Sequence, residues 1–368
     1  MQITKITAYQ FDAPVVEAEG ARISGGRSFS GYTTTILRMD TDQGPVGWGE
    51  SAPYGPYYLP YIAGAVLPGL DIVVPKLLGQ NPLAIQQINE TMDLSLYGHP
   101  HVKTAVDMAC WDILGKHAGL PLYELLGGKM VPAPEVQAFI LRTPGKALLE
   151  LIDHHRANGV HHFTTKVTGD LETDIDYLRF VGEHMQTGES LSVDANRGYR
   201  MDEALRLVRM AGDIDLMLEQ PCATIEECCD LRSRAGVPVM LDEEINTVHD
   251  LTRAYHMGAM DALNLKIGRV GGITKARLIR DVCASLRIPI YMQDTAGTSI
   301  VEAAIAHLAH STPPRALLAT WDVQGMMPLK TAEGRPTYKD GRIYASDGPG
   351  LGVTPLLEVL GEPVAEWA

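Results

Sequence analysis

Apolar and polar positions change rhythm twice along the chain. Over the first 50 residues they alternate loosely. Ile3–Phe11, the β-branched run Tyr32–Arg38 and Val46–Glu50 predict a small antiparallel meander that turns at Asp40–Gly44. A Gly- and Ser-rich stretch, GARISGGRSFSG, separates the first two strands and is expected to be a mobile loop, and SAPYGPYYLPY follows Glu50 as a second loop. From about residue 60 to 118 the period becomes helical. Val102, Val106, Ala109 and Ile113 fall on one face, and Gly119 with Pro121 ends the helix.

From about residue 135 a third texture begins. Eight short β-rich runs follow one another: VQAFIL, HFTTKVT, LSVDAN, LMLEQP, VPVMLDE, ALNLKI, IPIYMQD and LLATWD. Helix-length segments lie between them, among them 171–186, 201–210, 224–234, 247–257, 272–286 and 299–309. Repeated strand-then-helix predicts a parallel sheet, and eight units predict a closed (β/α)8-type barrel. No GxGxxG follows the first strand, which weighs against a dinucleotide fold. The rhythm ends after residue 323, and the Gly/Pro-rich tail GRIYASDGPGLGV is expected to return to the N-terminal region. The expected division is a capping unit over 1–130, a barrel over 131–322 and a returning tail over 323–368.

Composition narrows the function classes. A chain of 368 residues with 45% apolar content can bury a large core, as a globular enzyme does. A net charge of −14 disfavours nucleic acid and anionic membrane as partners. No apolar run approaches the roughly 18 residues of a spanning helix, and MQITKITAYQ does not resemble a secretory leader. The five cysteines, Cys110, Cys222, Cys228, Cys229 and Cys283, have neither disulfide nor zinc spacing, so reduced thiols and a cytoplasmic location are expected.

The chemistry is read at the strand ends, because active sites of such barrels sit at the C-terminal rim. Strand two ends in Lys166, strand three in Asp194 (with Asn196 two residues on) and strand four in Glu219. Strand five ends in Asp242-Glu243-Glu244, strand six in Lys266, strand seven in Asp294 and strand eight in Trp321-Asp322. The steps from Asp194 to Glu219, Asp242 and Lys266 are 25, 23 and 24 residues, one β/α unit each. Three acids on adjacent strands make a hard-oxygen site suited to Mg2+. A lysine on either side of them can approach one central point from opposite directions. A nearby cation and partial burial would lower a lysine's pKa, as a general base requires. His154, His155, His161 and His162 fall at the opposite rim and are expected to form a solvated cluster.

These motifs resemble the enolase superfamily, in its muconate-lactonizing subgroup. The resemblance covers nearly the whole chain. It rests on Val46-Gly-Trp-Gly-Glu50, AVDMACWDILGK with LPLYELLGG, Val193-Asp-Ala-Asn196, Leu218-Glu-Gln-Pro221, Asp242-Glu243, Leu265-Lys-Ile-Gly-Arg-Val-Gly-Gly272 and Gly348-Pro-Gly-Leu-Gly352. It implies a (β/α)7β barrel with an α+β cap, magnesium on Asp194, Glu219 and Asp242, and Lys166 and Lys266 as an acid/base pair. A lysine base beside magnesium is the established pattern of that superfamily. Strand seven, YMQDTAG, offers no His of the mandelate-racemase type.

One departure is Thr164-Thr165-Lys166, where many relatives carry Lys-x-Lys. It points to a minority branch acting on proline-like substrates. Trp321 and Asp322, with Tyr54, Tyr57 and Tyr58 of the cap loop, suit a cationic ring nitrogen; Asp322-Val-Gln324 is not the Asp-x-Asp of dipeptide epimerases. Tyr58, Asp294, Trp321 and Asp322 are the expected substrate contacts. The expected reaction is anti loss of water from cis-3-hydroxy-L-proline to Δ1-pyrroline-2-carboxylate, with competing 2-epimerisation. The alternative is 2-epimerisation of proline betaine or 4-hydroxyproline betaine. A homo-oligomer with a small-molecule substrate is expected.

Overall fold

The computed structural model describes residues 1–16, 21–23, 27–55, 58–143 and 145–368, the side chains of 21–23 and 27–29 excepted. The predicted meander is present. Ile3–Pro14 pairs antiparallel with Gly31–Thr41, which pairs with Gly47–Ser51. The tail closes this sheet from its other edge: Ala365–Trp367 pairs antiparallel with Ile6–Ala8. Within the segment expected to be a mobile loop, Ala21–Ile23 pairs with Arg27–Phe29 as a short hairpin. Its remaining positions Gly20 and 24–26 lie outside the described residues, as does Tyr57.

The helical stretch resolves chiefly into Val66–Val73, Ile85–Ser95 and Pro100–Ala118. The last of these is buried on nearly every face, because the cap sheet covers one side and the barrel the other. Its approach to the sheet explains the Gly-Trp-Gly pattern. A Cβ on Gly49 would lie 1.9 Å from the Ala105 carbonyl oxygen, so the strand can touch the helix only as glycine. Gly119 ends the helix with φ 70°, in the left-handed conformation that glycine adopts without a Cβ penalty.

The eight β-rich runs form one closed parallel barrel whose neighbours follow chain order. The strands are Val136–Phe139, His162–Lys166, Ser190–Asp194, Met217–Glu219, Val239–Leu241, Ala262–Lys266, Ile290–Gln293 and Leu317–Trp321. Each of the first seven is followed by a long helix, the last being Ser299–His310. Strand eight leads only into the single turn Val323–Met326, so the fold is (β/α)7β with an α+β cap.

Glu50 ties cap to barrel. It is fully buried on the last strand of the meander and accepts from the backbone N–H groups of Thr298 and Val301 at 2.9 and 3.1 Å. The hydroxyls of Thr34 and Thr298 donate to it at 2.8 and 2.9 Å. A carboxylate at the start of Ser299–His310 also complements the helix dipole. Glu50→Ala should lower unfolding free energy by about 2–4 kcal/mol, since it leaves several buried donors unpaired. Urea denaturation measures this, and an unchanged midpoint would contradict the tie.

Candidate active site

Strand register places the candidate residues in one ring. Lys166, Asp194 and Glu219 are cross-strand neighbours at the last positions of strands two, three and four. Asp242 follows strand five directly, and Lys266 ends strand six opposite Gln293. Lys166, Asp194, Glu219, Lys266, Asp294 and Trp321 line a single cavity of about 70 Å³, which Tyr54 and Tyr58 of the cap close together with Phe139, Met326 and Met327. Both lysines therefore reach the same small space.

Asp194 is held by Lys166 and by Asn196, whose side-chain amide donates to it at 3.0 Å. Asn196 also accepts from Lys166 at 2.8 Å and donates to Glu243 at 3.1 Å. Asp242 has three donors: Lys266 at 2.8 Å, the Tyr58 hydroxyl at 2.8 Å, and Arg269. Tyr58 touches Lys266 and Arg269 as well, and Arg197 donates to its carbonyl at 3.0 Å, so one cap residue is fastened at both ends. Among the described residues Glu219 accepts only from the neutral amide of Asn264, at 2.6 Å.

Burial and neighbouring charge set the protonation tendencies. Burial, reinforced by Asp194 and Asp242, pushes Glu219 well above the ordinary carboxylate range. Burial works the same way on Asp242, but Arg269 and Lys266 outweigh it and hold that carboxyl low. Glu243 is pushed up to about 7 by burial and by the charges of Asp242 and Asp194, and its Oε2 has no hydrogen-bond partner among the described residues. Burial would lower Lys166; Asp194 more than reverses this and raises it. The expected lowering of a lysine is thus not seen at Lys166 in this charge arrangement.

The donor set fits a divalent cation. Among the described residues Glu219 has no ion-pair partner and Glu243 only Arg197 at 3.9 Å, beside two acids with cations in direct contact. Hard oxygens with unspent negative charge are what Mg2+ takes as ligands. As the side chains stand, no three His, Cys, Asp or Glu groups among the described residues converge on one point; Asp194 and Asp242 are each paired with a lysine instead.

Two expectations need correction. Asp322 does not line the lysine cavity. Its carboxylate caps the turn after strand eight, accepting from Gly325 N–H at 2.9 Å, and it faces a separate cleft with Tyr338 and His154. The acid beside the lysines is Asp294, which accepts from Gly268 N–H at 2.8 Å and Thr295 N–H at 2.6 Å. A Cβ on Gly268 would lie 2.6 Å from its Oδ1, which accounts for that glycine. The histidines are only partly the solvated cluster expected: His154 and His161 are exposed, whereas His162 is half-buried and bonded to Glu135 and Ser190, at 2.7 Å each. Arg269 was not anticipated. An arginine one turn past Lys266 in an otherwise apolar, Gly-rich segment was the available signal.

Two measurements check this electrostatic picture. Arg269 is 1% exposed, so Arg269→Met should cost about 3–5 kcal/mol of stability by stripping Asp242 of a buried partner. A loss below about 1 kcal/mol would contradict the pairing. Burial pushes Asp294 up to about 7. A raised acid binds its proton more tightly in the folded state, so stability present below the unfolded carboxylate pKa is lost as pH rises toward 7. Asp294→Asn should therefore become more favourable, relative to the parent, by at least about 1 kcal/mol between pH 5 and pH 8. Denaturation at the two pH values tests the sign.

Comparison with known proteins shows the family. Residues 12–127 match the mandelate racemase/muconate lactonizing enzyme N-terminal domain, and residues 147–359 match the enolase C-terminal domain-like model. A cis-3-hydroxy-L-proline dehydratase of Roseibium aggregatum is 40% identical over 368 residues, covering all of both chains. An enolase-superfamily member from Roseovarius nubinhibens, solved with magnesium, is 35% identical with a TM-score of 0.93, covering 100% of this chain and 99% of that one. The N-succinyl Arg/Lys racemase of Bacillus cereus is 26% identical with a TM-score of 0.90, over 100% and 99% of the two chains. The chain belongs to the mandelate racemase/muconate lactonizing enzyme family of the enolase superfamily.

Proposed function

We propose that this protein removes water from cis-3-hydroxy-L-proline. The observation that carries the reading is that Lys166 and Lys266, from strands two and six, face one cavity together with Asp194 and Glu219. The full-length relationship to the Roseibium dehydratase supports the choice of substrate. Asp194, Glu219 and Asp242 would hold magnesium, which when bound supplies positive charge to a substrate carboxylate whose α-carbon is losing a proton.

The chain's own groups then divide the work. In cis-3-hydroxy-L-proline the α-hydrogen and the 3-hydroxyl lie on opposite ring faces. One lysine, as the amine, takes the α-proton; the other, as the ammonium, gives a proton to the departing hydroxyl, which leaves as water. The enamine gains a proton at C3 and loses one at nitrogen to become Δ1-pyrroline-2-carboxylate. Reprotonation of Cα from the second face gives the competing epimer. Asp294 and the faces of Trp321, Tyr54 and Tyr58 suit a cationic ring nitrogen. Tyr58, Met326 and Met327 border the cavity and narrow its access to water.

A second reading, 2-epimerisation of a proline betaine, is favoured by one observation. With Asp322 outside the cavity, its lining is more aromatic than the strand ends implied.

Incubation with magnesium in D2O separates the readings. Pyrroline product from cis-3-hydroxy-L-proline is expected, with some α-deuteration of the remaining substrate. Neither signal with this substrate, and deuteration of proline betaine instead, would replace the dehydratase by the epimerase. Lys166→Ala and Lys266→Ala should each lower turnover by about a thousandfold or more. Chelation should abolish turnover and added magnesium restore it; full activity in excess chelator would contradict the cation's role.

A further inference from the structure

Asp294 and Thr295 border two spaces at once. One is the cavity between the lysines; the other is a void of about 10 Å³, also lined by Glu50, Tyr61 and His101. Tyr61 in turn borders a groove of about 730 Å³ open at the surface, where His99 stands. Three spaces therefore lie in series from the lysines to the outside, each sharing a residue with the next.

Two side chains bordering the middle void carry polar atoms that no described residue satisfies. His101 is 2% exposed and Tyr61 9%, yet neither ring nitrogen of His101 nor the Tyr61 hydroxyl has a hydrogen-bond partner. The two rings stack with centroids 4.1 Å apart, and His99 lies 5.7 Å beyond His101. Orphaned buried polar groups are costly, and a void near one water in size with several such groups is where a protein holds an internal water.

The end groups suit proton transfer. Burial and His99 push His101 down to about 4. The ring is then neutral near pH 7, with one nitrogen to donate and one to accept. Burial, with a smaller push from Glu50 and against the pull of Lys266, raises the Asp294 carboxyl to about 7, so it can gain or lose a proton at neutral pH.

We propose that Asp294, one bound water, His101 and Tyr61 form a proton-exchange route between the lysine cavity and the outer groove. The proposal rests on the dehydratase reading, which supplies the need for it. Each elimination moves the α-proton onto one lysine and takes a proton from the other to make water. Atoms and charge balance, but the two lysines end with their protonation exchanged. Before the next turnover one must release a proton and the other regain one, while Tyr58 and the cap cover the cavity.

His101→Phe keeps the stack on Tyr61 and removes both nitrogens. With magnesium and cis-3-hydroxy-L-proline, its single-turnover rate should stay within about twofold of the parent. Its steady-state rate should fall at least about tenfold, after a burst of one product per site. Tyr61→Phe should show a milder form of the same split. In His101→Ala, added imidazole should restore part of the steady-state rate. Equal single-turnover and steady-state losses, or unchanged steady-state rates in all three variants with their thermal midpoints preserved, would overturn the route. A parent enzyme that forms no pyrroline would remove the dehydratase reading and the route with it, whereas product from the parent with no burst in the variants removes the route alone.

Discussion

Four carboxylates, Asp194, Glu219, Asp242 and Glu243, are buried within one strand-ring of each other at the barrel mouth. Bringing them there out of water is unfavourable unless positive charge follows. Lys166, Lys266 and Arg269 supply three such charges from within the chain. Among the described residues Glu219 has no direct cationic partner and Glu243 only the more distant Arg197 at 3.9 Å, which is the same imbalance that a divalent cation would relieve. Much of the local structure follows from this concentration of charge. Asn196 is held at φ 41° where its amide can serve Asp194, Glu243 and Lys166 together. Arg269 sits in a wholly buried place that only an ion pair makes tolerable.

Among the contacts between cap and barrel, two differ in their physics. Glu50 makes a neutral-donor tie to the start of the helix after strand seven, far from the lysines in sequence and chemistry. Tyr58 reaches the charged centre itself, touching Asp242, Lys266 and Arg269 through one hydroxyl. The first tie fixes where the cap sits; the second makes closure of the cavity sensitive to the state of Asp242. A substrate entering between the lysines must therefore compete with, or displace, contacts that the cap loop already makes.

The barrel was legible because its signals are local and repeated. Each strand announces itself by a short, largely apolar run, and each reactive residue by its place at the end of that run. Lys166, Asp194, Glu219 and Lys266 could be placed on one rim by counting alone. Asp322 shows where counting stops. It follows strand eight just as Asp242 follows strand five, yet it caps the next turn instead of entering the cavity. A one-residue step past a strand end leaves the side chain's direction to the backbone turn that follows, and that turn is set by packing.

The order of elements, the barrel class and the identity of the rim residues were determined by the chain's own pattern, since periodicity and turn residues act over a few positions. The partners of those residues were decided only in three dimensions. Arg269 on Asp242, Tyr58 from the cap onto Lys266, and Asp294 shared between two cavities join segments separated by tens to hundreds of residues. Such contacts depend on which side chains are driven into the same dehydrated space, and no local periodicity encodes that.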